Sequence, residues 1–175
     1  MLRVCYYPLY TYIKTSTDPS LVVNNHDNHS KEVKVMRNEL GEKFVQAINE
    51  RDQKTYLECF KQRVDVNYQS TVTGLAAIHA AAESGNHHAI GILLKEHPEI
   101  DLLILSKGHG WLASDIAALV MNHALADILD KAEQKQMEER GITREDLEAK
   151  AAQLIEENLR PTRNIPFNID EPTND

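Results

Sequence analysis

Eight histidines and two cysteines are the first candidates in this chain for binding a metal ion or transferring protons. Zinc sites built on a helix prefer two ligands four residues apart, with Cys or carboxylate ligands nearby. The adjacent pair His87 and His88 lacks that spacing, and His97, His109 and His123 do not extend it into a cluster. We therefore predict neither a metal site nor a bound cofactor.

The remaining candidates for catalysis are equally isolated. Cys59 falls at a core position of a predicted helix, where burial would oppose formation of the thiolate that a nucleophile needs. His26, Asp27 and His29 lie in a polar stretch where we expect no preformed site. Residues 108 to 110 fit a hairpin turn and not a nucleotide motif. The sequence therefore predicts no active site.

An internal repeat indicates the elements that would position any functional surface. Residues 74 to 94 read GLAAIHAAAESGNHHAIGILL, and the same layout recurs 36 residues later and, more weakly, 34 residues earlier. A period in the mid-thirties is typical of stacked helix pairs that cannot bury their apolar faces alone. The pairs that match in the later copy are Gly74 with Gly110, His79 with Asp115, Ala81 with Ala117, and Leu93 with Leu129.

The repeated unit resembles the ankyrin repeat, in which Asp-Val-Asn, a hairpin and Gly-x-Thr-Pro-Leu-His-x-Ala-Ala are followed by a glycine and a pair of leucines. The resemblance covers roughly residues 40 to 132. It implies an all-α, ankyrin-type helical solenoid of helix-turn-helix units with hairpin loops and a C-terminal capping helix. It also implies that His79 links neighbouring hairpins through hydrogen bonds. The matching residues of the middle unit are Asp65, Val66, Asn67, Gly74, Ile78, His79, Ala81, Ala82, Gly85, Ile90, Leu93 and Leu94.

The sequence departs from that pattern where the first helix of each pair starts. Ala76-Ala77 and Leu112-Ala113 stand in place of the Thr-Pro pair of the family. Met121 stands where the third unit should have its inter-helix glycine. We therefore expect looser helix starts in both units.

Apolar spacing and helix-ending residues give the predicted organisation. Helices are expected at residues 37 to 49, 53 to 61, 78 to 84, 88 to 96, 114 to 121, 124 to about 140 and 143 to 159. The expected parts are a flexible tail (1 to 35), a degenerate capping repeat (36 to 64), two repeats (65 to 98 and 99 to 132), C-terminal cap helices (133 to 160) and a second flexible tail (161 to 175). Two alternatives stay open for the head. Its tyrosine-rich residues 4 to 13 could dock as an added strand, or Met36 could be the true start of translation.

The last predicted helix has an apolar stripe that suggests a capping role. A stack of few repeats leaves its terminal face bare, and terminal units normally cover such a face. We expect the stripe to cover a face lined by Leu119, Val120 and Leu125, whereas the alternative is a charged helix surrounded by solvent. The stripe consists of Leu147, Ala151, Leu154 and Ile155.

Charge and composition restrict the classes of partner. A formal net charge of −8 without a stripe of Lys and Arg argues against nucleic acid binding. No run approaches the roughly eighteen apolar residues of a membrane span. Reduced thiols are the default reading of the two cysteines, so we expect a location in the cytoplasm or, for a delivered protein, in the cytosol of a host cell. We also expect a monomer.

The resemblance directs attention to a recognition surface. In related repeats, partners bind the hairpin tips and the residues just before the inter-helix glycine. Trp111 is the single Trp, and it is either an interface anchor or a packing residue of the hairpin. The partner-binding residues carried over by position are Ser70, Val72, Thr73, Leu75, Glu83 and Ser84 in the second unit, and Ser106, Gly108, His109, Trp111, Leu119 and Val120 in the third.

Noncatalytic binding of a protein partner through this surface is the function that the resemblance implies. Short ankyrin proteins with unusual flanks look like those that bacteria or viruses use to engage host proteins, so an effector is the first biological hypothesis. The alternative is an enzyme, or an enzyme regulator of the toxin or inhibitor type, with its chemistry in the N-terminal or C-terminal extension. Clustered titratable groups in a pocket would favour the alternative.

Overall fold

The computed structural model describes residues 25–159, with side chains described from residue 33 onward. This part of the chain is helical, and its one β contact is an isolated antiparallel bridge between Gln69 and Ala76. The predicted all-α class is therefore confirmed. The helices are α1 (Asn25–Asn49), α2 (Gln53–Lys61), α3 (Ala77–Ser84), α4 (His87–Glu96), α5 (Ala113–Leu119), α6 (His123–Arg140) and α7 (Arg144–Leu159).

The first helix begins earlier than its apolar spacing predicts. α1 starts at Asn25 and not at residue 37. Side chains from residue 33 to residue 39 are all exposed, so no buried face marks this part of the helix in the sequence. Its Lys, Glu and Met residues are good helix formers, which explains a helix without an apolar stripe. The strand docking considered for residues 4 to 13 and the tail predicted at 161 to 175 lie outside the described residues.

The other helices begin and end within two residues of their predicted bounds. The second helix of each pair (α2, α4 and α6) starts with the same cap, an Asp or Asn whose side-chain oxygen accepts from the amide three residues on. These capping contacts join Asp52 to Thr55 at 3.2 Å, Asn86 to Ala89 at 3.1 Å, and Asn122 to Leu125 at 3.3 Å. The cap thus repeats once in every helix pair.

The first helices α3 and α5 start without the hydroxyl cap that the family pattern would supply. Instead, Nδ1 of His79 accepts from the amide of Ala76 at 3.1 Å, and Oδ2 of Asp115 accepts from the amide of Leu112 at 3.0 Å. In both helices, a side chain of the first turn therefore accepts a hydrogen bond from the amide of the residue just before the helix. Hydrogen bonds therefore hold the starts of both helices, and the expectation of looser helix starts is wrong.

Small side chains allow the first helices to pack closely. α3 contacts α1 on one side and α5 on the other, while α2, α4 and α6 pack against the first helix of their own pair. Ala80, Ala81 and Ala82 of α3 are buried in these contacts. Because interaxial distance depends on the side chains at the contact, alanines bring the helices close together. Larger side chains such as Phe44 and Leu93 fill the space between the first and second helices.

Side-chain amides join the loops of successive helix pairs. Asn67 donates to the carbonyl of Glu99 at 2.9 Å and accepts from the amide of Asp101 at 2.7 Å. Gln136 of α6 does the same one pair further on, bonding the carbonyl of Ile100 at 2.9 Å and the amide of Leu102 at 2.8 Å. Each amide satisfies both a donor and an acceptor of its neighbour.

His79 makes the corresponding link from a helix, as the resemblance implies. Its Nδ1 accepts from Ala76, so its Nε2 carries the proton and donates to the carbonyl of Ile104 at 3.0 Å. Burial lowers the pKa of His79 to about 4, and the bond to Ile104 opposes that shift only in part. The ring is therefore neutral at physiological pH and links two loops without a counter-charge.

The last helix covers a different face from the one predicted. Leu119 and Val120 stay 63% and 42% exposed, while Leu125 is buried in the main core. α7 instead crosses the loop before α5, and Asn158 near its end donates to the carbonyl of Lys107. The reason is the turn at Gly141, whose positive φ of 64° sends the chain back along the loop side. The second apolar cluster so formed contains Leu103, Leu105, Leu112, Met137 and Leu147.

Two contacts fix α7 in this place. A Cβ at Gly110 would lie 2.7 Å from the Cβ of Ala151, so only glycine allows the helix to approach this closely. Arg144 at the start of α7 pairs with Asp115 at 3.4 Å and with Asp130 at 3.6 Å. The apolar stripe is used unevenly, since Leu147 is buried and Ile155 remains 38% exposed.

Replacing Leu147 with Ala should therefore destabilise the protein far more than replacing Ile155 with Ala. The first change leaves a cavity beside Leu105 and Met137 and should lower the free energy of unfolding by about 2 kcal/mol or more. The second removes a partly solvated side chain and should cost less than about 1 kcal/mol. Urea denaturation of the two variants measures both values. Equal losses would contradict the packing described for α7.

Candidate partner-binding surface

The buried cysteine and two of the histidines of the described residues make structural contacts. Cys59 is fully buried, and burial raises the pKa of its thiol, which disfavours the thiolate. His88 contacts the Tyr56 hydroxyl at 2.6 Å, and His97 stacks on Phe60 with ring centroids 4.5 Å apart. Among residues 33–159, no three His, Cys, Asp or Glu side chains form a group that could hold a metal ion.

Glu133 is the buried carboxyl that most resembles a catalytic group. It is 1% exposed and accepts from both the amide and the hydroxyl of Ser114 at the start of α5. Burial raises its pKa to about 7, and the nearby carboxylates Asp115 and Asp130 act in the same direction, while the bonds from Ser114 oppose them. The group lines none of the depressions described below. Its role is to complete the start of α5, where its oxygens accept from a free helical N–H.

Four of the predicted partner-binding residues meet in one depression. They lie in the hairpin that the Gln69–Ala76 bridge closes, and they face α1 across a cavity of about 360 Å³. These hairpin residues are Ser70, Val72, Thr73 and Leu75. Val72 at the hairpin tip is 84% exposed, so an apolar side chain stands in solvent beside an open cavity. We call this depression the α1 groove. Its other lining residues are Glu42, Val45, Gln46, Asn49 and Ala80.

Ser70 is buried and shapes the hairpin at the edge of the α1 groove. Its hydroxyl oxygen accepts from the amides of Val72 and Thr73 at 3.1 and 3.0 Å, and its own amide donates to the carbonyl of Leu75 at 2.8 Å. Ser106 is likewise buried, and its hydroxyl accepts from the Trp111 amide at 3.0 Å. Both serines stabilise a turn, and the side chains that a partner could contact belong to the neighbouring residues.

Glu42 is a groove residue that sequence reasoning missed. One carboxylate oxygen accepts from the Tyr68 hydroxyl at 3.0 Å, the Thr71 amide at 2.6 Å and the Thr71 hydroxyl at 2.7 Å. Burial alone would raise the pKa of Glu42, but the bonds from Thr71, Ser70 and Tyr68 outweigh it and lower the pKa to about 2. The residues next to Glu42 in the sequence do not indicate that it holds the hairpin, because these contacts form only when the hairpin lies against α1.

The third-unit residues meet in a second, shallower depression. His109, Trp111 and Leu119 line a space of about 450 Å³ that α7 borders with Arg144 and Glu148. Trp111 is 36% exposed and stacks on His109, with ring centroids 4.4 Å apart. The helix therefore flanks Trp111 without burying it. We call this depression the Trp111 face.

The remaining predicted residues line neither depression. Glu83 and Gly108 are exposed, and Val120 is 42% exposed. The Ser84 hydroxyl donates to the carbonyl of Ala80 at 2.7 Å, while its own carbonyl accepts from Arg51. The α1 groove and the Trp111 face share no lining residue, so the predicted residues that do line a depression belong to two separate surfaces.

No helix among residues 25–159 combines the length and the apolar composition that are needed to cross a bilayer.

Replacing Glu42 with Gln should loosen the wall of the α1 groove. The variant keeps its size but loses the charge that strengthens three hydrogen bonds, so the free energy of unfolding should fall by about 1 to 2 kcal/mol. The matched control is Glu39→Gln, one turn earlier in α1 at an exposed position, which should change stability by less than about 0.5 kcal/mol. Chemical denaturation at neutral pH compares the two. Indistinguishable variants would mean that Glu42 does not hold the hairpin.

Replacing Glu133 with Gln should change how stability depends on pH. The folded protein keeps a proton on Glu133 that the unfolded chain releases above about pH 4.5, so this group stabilises the fold below that pH and loses its contribution as pH rises to about 7. Glutamine does not titrate. The stability of the variant relative to the native chain should therefore rise by about 3 kcal/mol between pH 4.5 and pH 7.5. Urea unfolding across this range measures the difference, and parallel profiles would contradict a raised pKa.

Comparison of the sequence with models of protein families gives no match, and a search of curated proteins gives no significant similarity.

Proposed function

We propose that the described helices form an ankyrin-type stack. Three features support this arrangement: paired helices with the same Asx cap, first helices that contact one another in chain order, and hydrogen bonds between pairs whose partners lie 34 to 36 residues apart. His79 also spans two loops, as the family pattern implies. A stack of this kind presents its loops along one edge, where they can act together in binding.

We further propose that the stack is a noncatalytic module that binds a protein partner. The observation that carries this proposal is the α1 groove, where the exposed Val72 stands beside an open cavity with Val45 and Leu75 in its wall. An exposed apolar tip next to a preformed cavity suits a partner that inserts an apolar side chain. The Trp111 face offers a second contact, in which an aromatic ring covers a large area with few rotatable bonds.

The groups that could support catalysis favour binding over enzymatic activity. His79, Glu42 and Glu133 have the most strongly shifted pKa values of the described residues, and each is occupied by hydrogen bonds within the fold. A catalytic site would gather such groups in one pocket with a free position for substrate. The enzyme or regulator alternative places its chemistry in the extensions, most of which lies outside the described residues.

Cross-linked pull-down from the source cell and from a host cell tests the module with matched variants. Val72→Glu places a charge in the α1 groove, whereas Ile128→Glu places the same charge at an exposed position on α6 that lines neither depression. A partner of the groove should be lost with the first variant and kept with the second. For that partner, Trp111→Ala should weaken binding by about 2 kcal/mol if the Trp111 face also takes part. Equal recovery of all proteins by both glutamate variants would contradict the proposal.

A further inference from the structure

A third depression, away from both proposed contact surfaces, concentrates positive charge. It encloses about 480 Å³ between the middle of α1 and the segment that follows α2. Lys34 and Arg37 line it from α1, and Arg63 lines it from the opposite segment. We call it the basic pocket. Its remaining lining residues are Asn38, Leu40, Val64, Asp65 and Tyr68.

The three cations of the basic pocket have no carboxylate partner among residues 33–159. Most exposed lysines of the described residues also lack such a partner, so what distinguishes the basic pocket is that it brings three cations together in one concavity. The chain carries a formal net charge of −8, so an unpaired cluster of three cations is unlike its average surface. Such a cluster attracts anions, and the field lines of a concave site concentrate that attraction.

The wall of the basic pocket is fixed by a close contact. A Cβ at Gly41 would lie 2.4 Å from the ring of Tyr68, so the absence of a side chain lets that ring lie directly on α1. The Tyr68 hydroxyl donates to Glu42 at 3.0 Å, which ties the ring to the same helix. The segment that carries Arg63 is thereby held opposite Lys34 and Arg37. A preformed site binds without the cost of ordering its walls.

The chemistry of the pocket favours phosphoryl groups on a compact scaffold. Arginine binds phosphate with two parallel hydrogen bonds, and two arginines with a lysine can engage more than one such group. A single exposed ion pair contributes little to binding, so useful affinity requires a ligand with several charges. Asp65 in the lining repels any anion, so the ligand has to engage all three cations at once.

We propose that the basic pocket binds a compact anion with two or more phosphoryl groups on one ring, either a soluble sugar or inositol phosphate or the headgroup of an inositol lipid. Lys34, Arg37 and Arg63 contact the phosphoryl oxygens, and Asn38 donates from its amide. Leu40 and Val64 form the apolar base under the ring. This site is independent of the α1 groove and the Trp111 face.

Calorimetric titration of the full chain with inositol hexakisphosphate tests the proposal. The double variant Arg37→Gln with Arg63→Gln should weaken binding about ten-fold or more, which corresponds to the loss of two charge-assisted contacts. The control Lys95→Gln with Lys131→Gln removes the same charge from exposed helix positions outside the pocket and should change affinity less than about two-fold. Circular dichroism should show equal helix content in all three proteins, because every replaced side chain is exposed.

Absence of binding would overturn the proposal, as would equal losses in the two double variants. Tight binding of a short polyglutamate peptide with the same dependence on Arg37 and Arg63 would also overturn it, in favour of an acidic peptide site. Co-sedimentation with phosphatidylcholine vesicles, with and without phosphatidylinositol bisphosphate, separates the two sources of the phosphoryl groups. Binding to the lipid-containing vesicles as well assigns the headgroup, and binding to the soluble anion alone assigns a free ligand.

Discussion

Each helix pair of this protein depends on its neighbour to satisfy loop backbone groups that it cannot satisfy itself. Asn67, His79 and Gln136 supply these hydrogen bonds across the junctions, and a buried backbone group without a partner costs about 1 to 3 kcal/mol. All three side chains are neutral, so none of them brings a charge into the interior. With the loops fixed in this way, the buried alanines can bring the first helices together and the hairpin can lie against α1. The α1 groove and the basic pocket exist because that hairpin has one position.

The contact between the hairpin and α1 has effects on both sides of Tyr68. On one side, Glu42 collects three hydrogen bonds and closes the α1 groove. On the other side, the ring rests on Gly41 and sets the distance between Arg63 and the cations of α1. Two surfaces of opposite character, one apolar and one cationic, therefore share a single support. A change at Gly41 would disturb both, whereas a change at Val72 or at Arg37 would disturb one.

Much of the helical layout follows from the sequence because its signals are local. The apolar spacing and the helix-ending residues place most helix ends within two residues, and the position of His79 in the repeat indicates its bridging role. Two features needed three-dimensional information. The start of α1 has no buried face to mark it, and the direction of α7 depends on Gly110 admitting Ala151. For the candidate surface, the hairpin residues follow from their position in the repeat. The contacts of Glu42 and the basic pocket do not, because they join residues that are far apart in the sequence.

His79 and Asp115 occupy the same place in successive helix pairs, yet their chemistry differs in one respect. Both side chains accept from the amide before their helix, but only the imidazole has a second nitrogen that can donate to the next loop. The aspartate has no proton to offer, and it turns instead to Arg144 of α7. The link at His79 is therefore a neutral hydrogen bond, and the one at Asp115 is an ion pair that dissolved salt weakens.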